Sequence, residues 1–326
     1  MRANLPAKIA HSRYTLVVCI VLYAASFLML RQDMADGGEG GILWQWLDKS
    51  LPALTVSRWS TLALHVLALY MLLELDTVFA LIRQRTLFQL SALLLFLSAM
   101  PAVFNVSAAT IGGMLVFYAL FPFFFSYQGI NNALRMMQSG IALGLASLFY
   151  PHALLLAVLF VVAMPSMRNF SPRNLFGLLW GAAIPYFFLA TYAFCTDRMQ
   201  LVNDALSSIV EFDNIDYGTL GTGTALNLGL MLLFAATSIT HATYTSYNDK
   251  IKTRILLYFL CWLSACIIIA ATVLPSDAAD LMSLATMPTA LLMAHTVTLL
   301  DTRGGTVYVI VMTAAMAGVF TINYVI

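Results

Sequence analysis

Nine apolar runs of about bilayer length, and a longer one interrupted by a proline, follow one another along this chain. They fall near residues 14–30, 59–82, 87–104, 108–127, 174–194, 223–245, 254–273, 281–299 and 305–325, with the interrupted run at 136–165. A helix rises about 1.5 Å per residue, so roughly 20 apolar residues cross the hydrocarbon core. Of the 326 residues, 61% are hydrophobic and only 10% charged. Soluble domains carry about 25% charged residues, so the polar surface needed to dissolve a globule of this size is missing. The sequence predicts an all-α, polytopic transmembrane helix bundle forming a single integral membrane domain. A net charge of +1 leaves no basic face for a nucleic acid.

The run at 136–165 decides the topology. It is too long for one straight span, and within "FYPHA" Pro151 removes a backbone donor and disfavours helix at Tyr150. If the chain turns there, Arg2, Lys8, Arg13, Arg83, Arg85, Arg135, Arg168, Arg173, Lys250, Lys252, Arg254 and Arg303 share one side. Only Arg31, Lys49, Arg58 and Arg198 lie on the other. A single span would split the basic residues evenly. The positive-inside rule therefore favours a hairpin of two short helices, about eleven spans, a cytoplasmic N-terminus and a periplasmic C-terminus in a cell inner membrane. The first run follows Arg2, Lys8 and Arg13 but lacks a small-x-small cleavage site in the polar segment after it, so it reads as an uncleaved helix.

Most acidic residues fall on the outer side in this scheme, in two long loops. Loop one, residues 31–58, opens with "RQDMADGGEGG" and continues into "ILWQWL". Tryptophan favours the membrane interface, so Trp44 and Trp46 mark a short helix lying in the headgroup layer. Loop two, residues 195–222, contains "EFDNIDYGTLGTGT", whose glycines lack the GK[ST] of a phosphate-binding loop. They read as a flexible lead into the next span. The four cysteines (Cys19, Cys195, Cys261 and Cys266) form no CxxC, and no metal-ligand spacing joins them to histidine. The cysteines and histidines give no sign of a metal site, and no cofactor is expected.

Inside the spans two features stand out. Gly140 and Gly144 are one helical turn apart, as are Gly177 and Gly181, a spacing that lets helices approach closely. Ser171 before Pro172 is a good helix start. The second feature is "YMLLELDTVFALIRQR", which places Glu74 and Asp76 in an apolar helix. They lie about 200° apart around the axis and cannot share a face. Asp76, seven residues before Arg83, is expected to face an inner cavity, where asparagine should replace it with little loss. Each acid fixes bundle geometry through a neighbour or contributes to a proton relay with His65, His241 and His295.

Residues 134–188, with "GLASLFYPHALLL" and "GAAIPYFF", resemble an uncharacterised family of polytopic membrane proteins common in Bacteroidetes, as does "LLELDTVFALIRQRTL". The same region is similar, more distantly, to polyprenyl-phosphate-dependent glycosyltransferases of the GT-C type. Those enzymes place an acidic catalytic residue in the first outer loop, just after the first span. Here that position is held by Asp33 and Asp36 of "RQDMAD". The resemblance implies that these carboxylates act as general base on the acceptor or bind a metal, with Arg58 and Arg198 holding a lipid phosphate and Trp44 and Trp46 beside the substrate.

Three classes of function follow. A GT-C-like transferase, or an inactive relative, would act on a lipid-linked substrate. A non-catalytic envelope protein would assemble with a protein partner through its loops. A secondary transporter would place ionisable groups near the midplane and show a repeat between its halves; eleven spans do not divide evenly. Membrane lipids are partners in every case.

Overall fold

The computed structural model describes residues 6, 9–10, 12–29, 40–51, 58–84, 86–104, 106–212, 215–300 and 303–325. They form helices α1 (Arg13–Met29), α2 (Ile42–Ser50), α3 (Arg58–Phe79), α4 (Phe88–Ala99), α5 (Pro101–Phe104), α6 (Ala108–Phe125) and α7 (Ala133–Phe149). After a 3-10 turn at Pro151–Leu155 come α8 (Leu156–Ala163), α9 (Pro172–Cys195), α10 (Gln200–Ser207), α11 (Thr222–Thr245), α12 (Ile251–Val273), α13 (Ala278–Leu299) and α14 (Arg303–Val325). There is no strand among the described residues.

Seven of the helices contain segments long and apolar enough to cross a membrane, and four shorter apolar segments accompany them: Tyr14–Met29, Phe88–Ala99, Ala133–Phe149 and Pro151–Ala163. Each coincides with one of the expected apolar segments. The chain is an all-α integral membrane protein. One boundary differs from the sequence reading: the run at 87–104 is two helices rather than one. The ring of Pro101 disfavours helix at the residue before it, and Met100 is extended (φ −119°, ψ 90°).

Contacts group the chain into two units. Unit 1 comprises Met1–Ala35, Thr61–Asn105 and Ile215–Ile326, and unit 2 Asp36–Ser60 and Val106–Asn214. In unit 1, α13 is the central helix, packed against α4, α5, α11 and α12. A helix apolar on every side belongs in a core, and 94% of the apolar window of α13 is buried. Its neighbours are joined by polar side chains. Ser264 of α12 bonds Thr289 of α13 at 2.9 Å, and Asn323 of α14 donates to Asn227 of α11 at 2.8 Å and to the Ala99 carbonyl at 2.9 Å.

In unit 2, α7 lies between α6 and α9. Its glycines bring backbone against backbone. A Cβ added at Gly140 would stand 2.1 Å from the Leu178 carbonyl oxygen, and one at Gly181 would stand 2.2 Å from that of Met137. At Gly144 and Gly177 the same atom would stand 2.4 Å from the Ala182 and 2.6 Å from the Ala133 carbonyl oxygen. At these positions only hydrogen fits, so the two spaced pairs specify the α7–α9 contact. The hydroxyls of Ser147 and Tyr186 join the same helices at 2.7 Å. Ser171 caps α9 by accepting from Asn174 N–H.

Candidate functional site

The hairpin is built from the proline outward. Tyr150 is extended (φ −127°, ψ 102°), and Pro151 opens the 3-10 turn that leads into α8. By residue 167 the chain has returned to the level at which α7 began. The Gln128 N–H donates to the Met167 carbonyl at 3.0 Å. Asn169 Nδ2 donates to Ser126 Oγ at 2.6 Å and lies 3.8 Å from Met136 Sδ. Asn174 Nδ2 donates to the Gly129 carbonyl at 3.0 Å. A straight helix from 136 to 167 would separate those ends by about 45 Å at 1.5 Å per residue.

The two long loops meet at the tip of this hairpin. From loop one, the Gly41 N–H donates to the Phe149 carbonyl at 2.6 Å, and a Cβ on Gly41 would stand 2.4 Å from the Leu148 oxygen. Helix α2 starts from that anchor and turns Trp44 inward, 3% exposed. From loop two, the Glu211 carbonyl lies 3.0 Å from His152 Nε2. A carbonyl can only accept, so Nε2 carries the proton. The His152 ring stacks on Phe212, centroids 4.8 Å apart and planes 13° from parallel, and meets Tyr150 edge-on at 5.5 Å.

Asp33 and Asp36 lie outside the described residues, as does the side chain of Arg58. Trp44 is packed inside unit 2, while Trp46 is 60% exposed on the other face of α2. Arg198 is exposed in the turn after α9, its N–H bonded to the Ala193 carbonyl at 2.8 Å. The convergence of loops one and two on the Phe149–His152 turn joins segments that no local spacing connects.

Glu74 and Asp76 part company, as their separation around the helix requires. Glu74 is half-buried, and among the described residues it has no hydrogen-bond or ion-pair partner. Asp76 is buried and closes the end of α3. Ala80 takes a left-handed φ of 49°, its N–H donating to the Asp76 carbonyl oxygen at 2.7 Å. The Asp76 carboxylate then accepts from the Ile82 N–H at 2.8 Å and from Gln89 Nε2 at 3.2 Å. Arg83, the next residue along, pairs with Asp249 and donates to the Thr245 carbonyl at 3.0 Å. His295 Nε2 stands 3.8 Å from the other Asp249 oxygen.

The side chains of Asp249 and His295 are 1% and 0% exposed. Sequence reading passed over Asp249, which sits in the basic segment "YNDKIKTR". Its partner lies 166 positions earlier, a distance that carries no periodic signal. His65 joins a separate contact, its Nδ1 2.7 Å from Tyr23 Oη. Among the described residues no three His, Cys, Asp or Glu side chains gather as a metal site requires. No protein-family model, curated protein or solved structure matches this chain.

Proposed function

We propose that the protein is an inner-membrane protein of the cell envelope that engages a lipid-linked substrate, of the polyprenyl-phosphate type, at the tip of the 136–165 hairpin. The N-terminus is cytoplasmic and the C-terminus periplasmic, so the tip faces outward. The observation that carries the reading is the meeting of the two long loops on one turn. Gly41 of loop one and Glu211 of loop two bond to Phe149 and His152 within four residues of each other. Loop one brings the acids, with Asp36 four residues before Gly40 in sequence, and loop two brings Arg198. Trp46 on the exposed face of α2 suits the headgroup layer.

In this reading a carboxylate of Asp33 or Asp36 takes the proton from an acceptor hydroxyl. Arg58 and Arg198 hold the lipid phosphate, whose oxygens a guanidinium fork matches. Asp33→Asn and Asp36→Asn, singly and together, are expected to abolish complementation of a deletion strain while membrane levels stay unchanged. Full complementation by the double variant would remove the transferase reading and leave an envelope assembly role. A secondary transporter is the second reading, favoured by the Arg83–Asp249–His295 group of unit 1, in which the Asp249 and His295 side chains are buried.

A further inference from the structure

In unit 1 the start of α1, the end of α3 and the turn into α4 line a half-open cavity of about 570 Å³, within the usual range of small-molecule sites. Asp76, Thr86, Gln89 and Ser91 line it together with the apolar Leu16 and Leu73, and no Lys, Arg or His among the described residues does. The donors that Asp76 already accepts, a backbone N–H and the Gln89 amide, are neutral. Arg83, the nearest cation in sequence, is committed to Asp249. Because Gln89 turns its nitrogen to Asp76, its oxygen is left as an acceptor. That Oε1 and Thr86 Oγ1 are both buried without a hydrogen-bond partner, although Gln89 is 1% and Thr86 9% exposed. Among the described residues the cavity thus offers a carboxylate with no cationic partner, two acceptors without a hydrogen bond and an apolar wall.

The complementary group is small, positively charged and rich in N–H donors. We propose that this cavity binds a primary ammonium group, carried by a free amine or by the ethanolamine headgroup of a membrane lipid. Three N–H donors meet the Asp76 carboxylate, Gln89 Oε1 and Thr86 Oγ1, while the attached carbons lie against Leu16 and Leu73. The site is independent of the transferase reading, since none of its residues belongs to the hairpin tip.

The test uses the purified full-length protein in nanodiscs of phosphatidylcholine and phosphatidylglycerol, with the thermal unfolding midpoint as readout. A ligand that binds the folded state raises that midpoint with concentration. Ethanolamine hydrochloride is expected to raise it, and equimolar choline chloride or sodium chloride is not. Replacing part of the phosphatidylcholine by phosphatidylethanolamine raises the midpoint and removes the response to free ethanolamine if the lipid is the source. If those discs leave the response intact, the source is the free amine.

Asp76→Asn should abolish the response. Thr86→Val leaves the Asp76 turn untouched and should weaken ethanolamine about tenfold, the loss of one hydrogen bond to a charged group. No shift in any arm, equal shifts with choline or sodium, or full ethanolamine affinity in Thr86→Val would each overturn the proposal.

Discussion

Units 1 and 2 solve the same problem, holding apolar helices together in lipid, by different means. In unit 2 the α7–α9 contact is made by absence: glycines let backbone meet backbone, and a Cβ at Gly140 would stand 2.1 Å from a carbonyl oxygen. In unit 1 the contacts are made by presence. Ser264 meets Thr289, Asn323 meets Asn227, and Arg83 meets Asp249. Lipid tails are as apolar as leucine, so neither unit gains much from hydrophobic burial between its spans. Close approach gains dispersion contacts, whereas polar pairing gains hydrogen bonds that hydrocarbon cannot offer. The two should therefore fail differently when altered.

The largest effect is expected in unit 2. Gly140→Leu forces α7 and α9 apart along their contact and should cost about 3 kcal/mol or more, the upper end for overpacking. Unfolding in mixed detergent micelles would register it, and a variant as stable as the parent would remove the close-packing account. Next comes the ion pair of unit 1. Asp249→Ala leaves Arg83 without its carboxylate, and the cost should be about 2 kcal/mol. That figure is discounted from the buried-pair range because the Arg83 side chain is 32% exposed. Arg83→Ala together with Asp249→Ala should cost less than the sum of the single changes, as for any coupled pair. Strict additivity would show the pair to be idle.

The smallest effect is expected where unit 2 borrows the device of unit 1. Ser147→Ala removes the hydroxyl that bonds Tyr186 and should cost about 0.6 kcal/mol, the mean for interhelical hydrogen bonds in membranes. A loss as large as that of Gly140→Leu would erase the distinction between the units.

The same contrast explains what could be read from the sequence. Gly140 with Gly144 and Gly177 with Gly181 announce themselves by a spacing of four, each pair within its own helix, and Pro151 announces a break by its own chemistry. The spans follow from hydropathy alone. Asp249 could not be found this way, because its meaning depends on Arg83 in a distant loop and on His295 in a third segment. Asp76 was visible as an anomaly in an apolar helix. Its role needed the Ala80–Ile82 turn, which folds back onto the carboxylate after α3 has ended. Trp44 and Trp46 show the limit most plainly. One residue type at two positions of one outer loop gave one interfacial reading, yet a spacing of two places them about 200° apart, and the helix buries Trp44 and exposes Trp46.

The meeting of both loops on one turn depends on the chain reversing at Pro151, and impermeant thiol labelling tests that most directly. In a background with the exposed Cys195 replaced by serine, single cysteines are placed at Ile130, Phe170 and Glu211, all exposed. The first two flank the hairpin, and the third sits at its tip. The expected result in intact cells is labelling at position 211, with positions 130 and 170 labelled only after permeabilisation. Labelling of positions 130 and 170 from opposite sides of the membrane would contradict the reversal and, with it, the site at the hairpin tip.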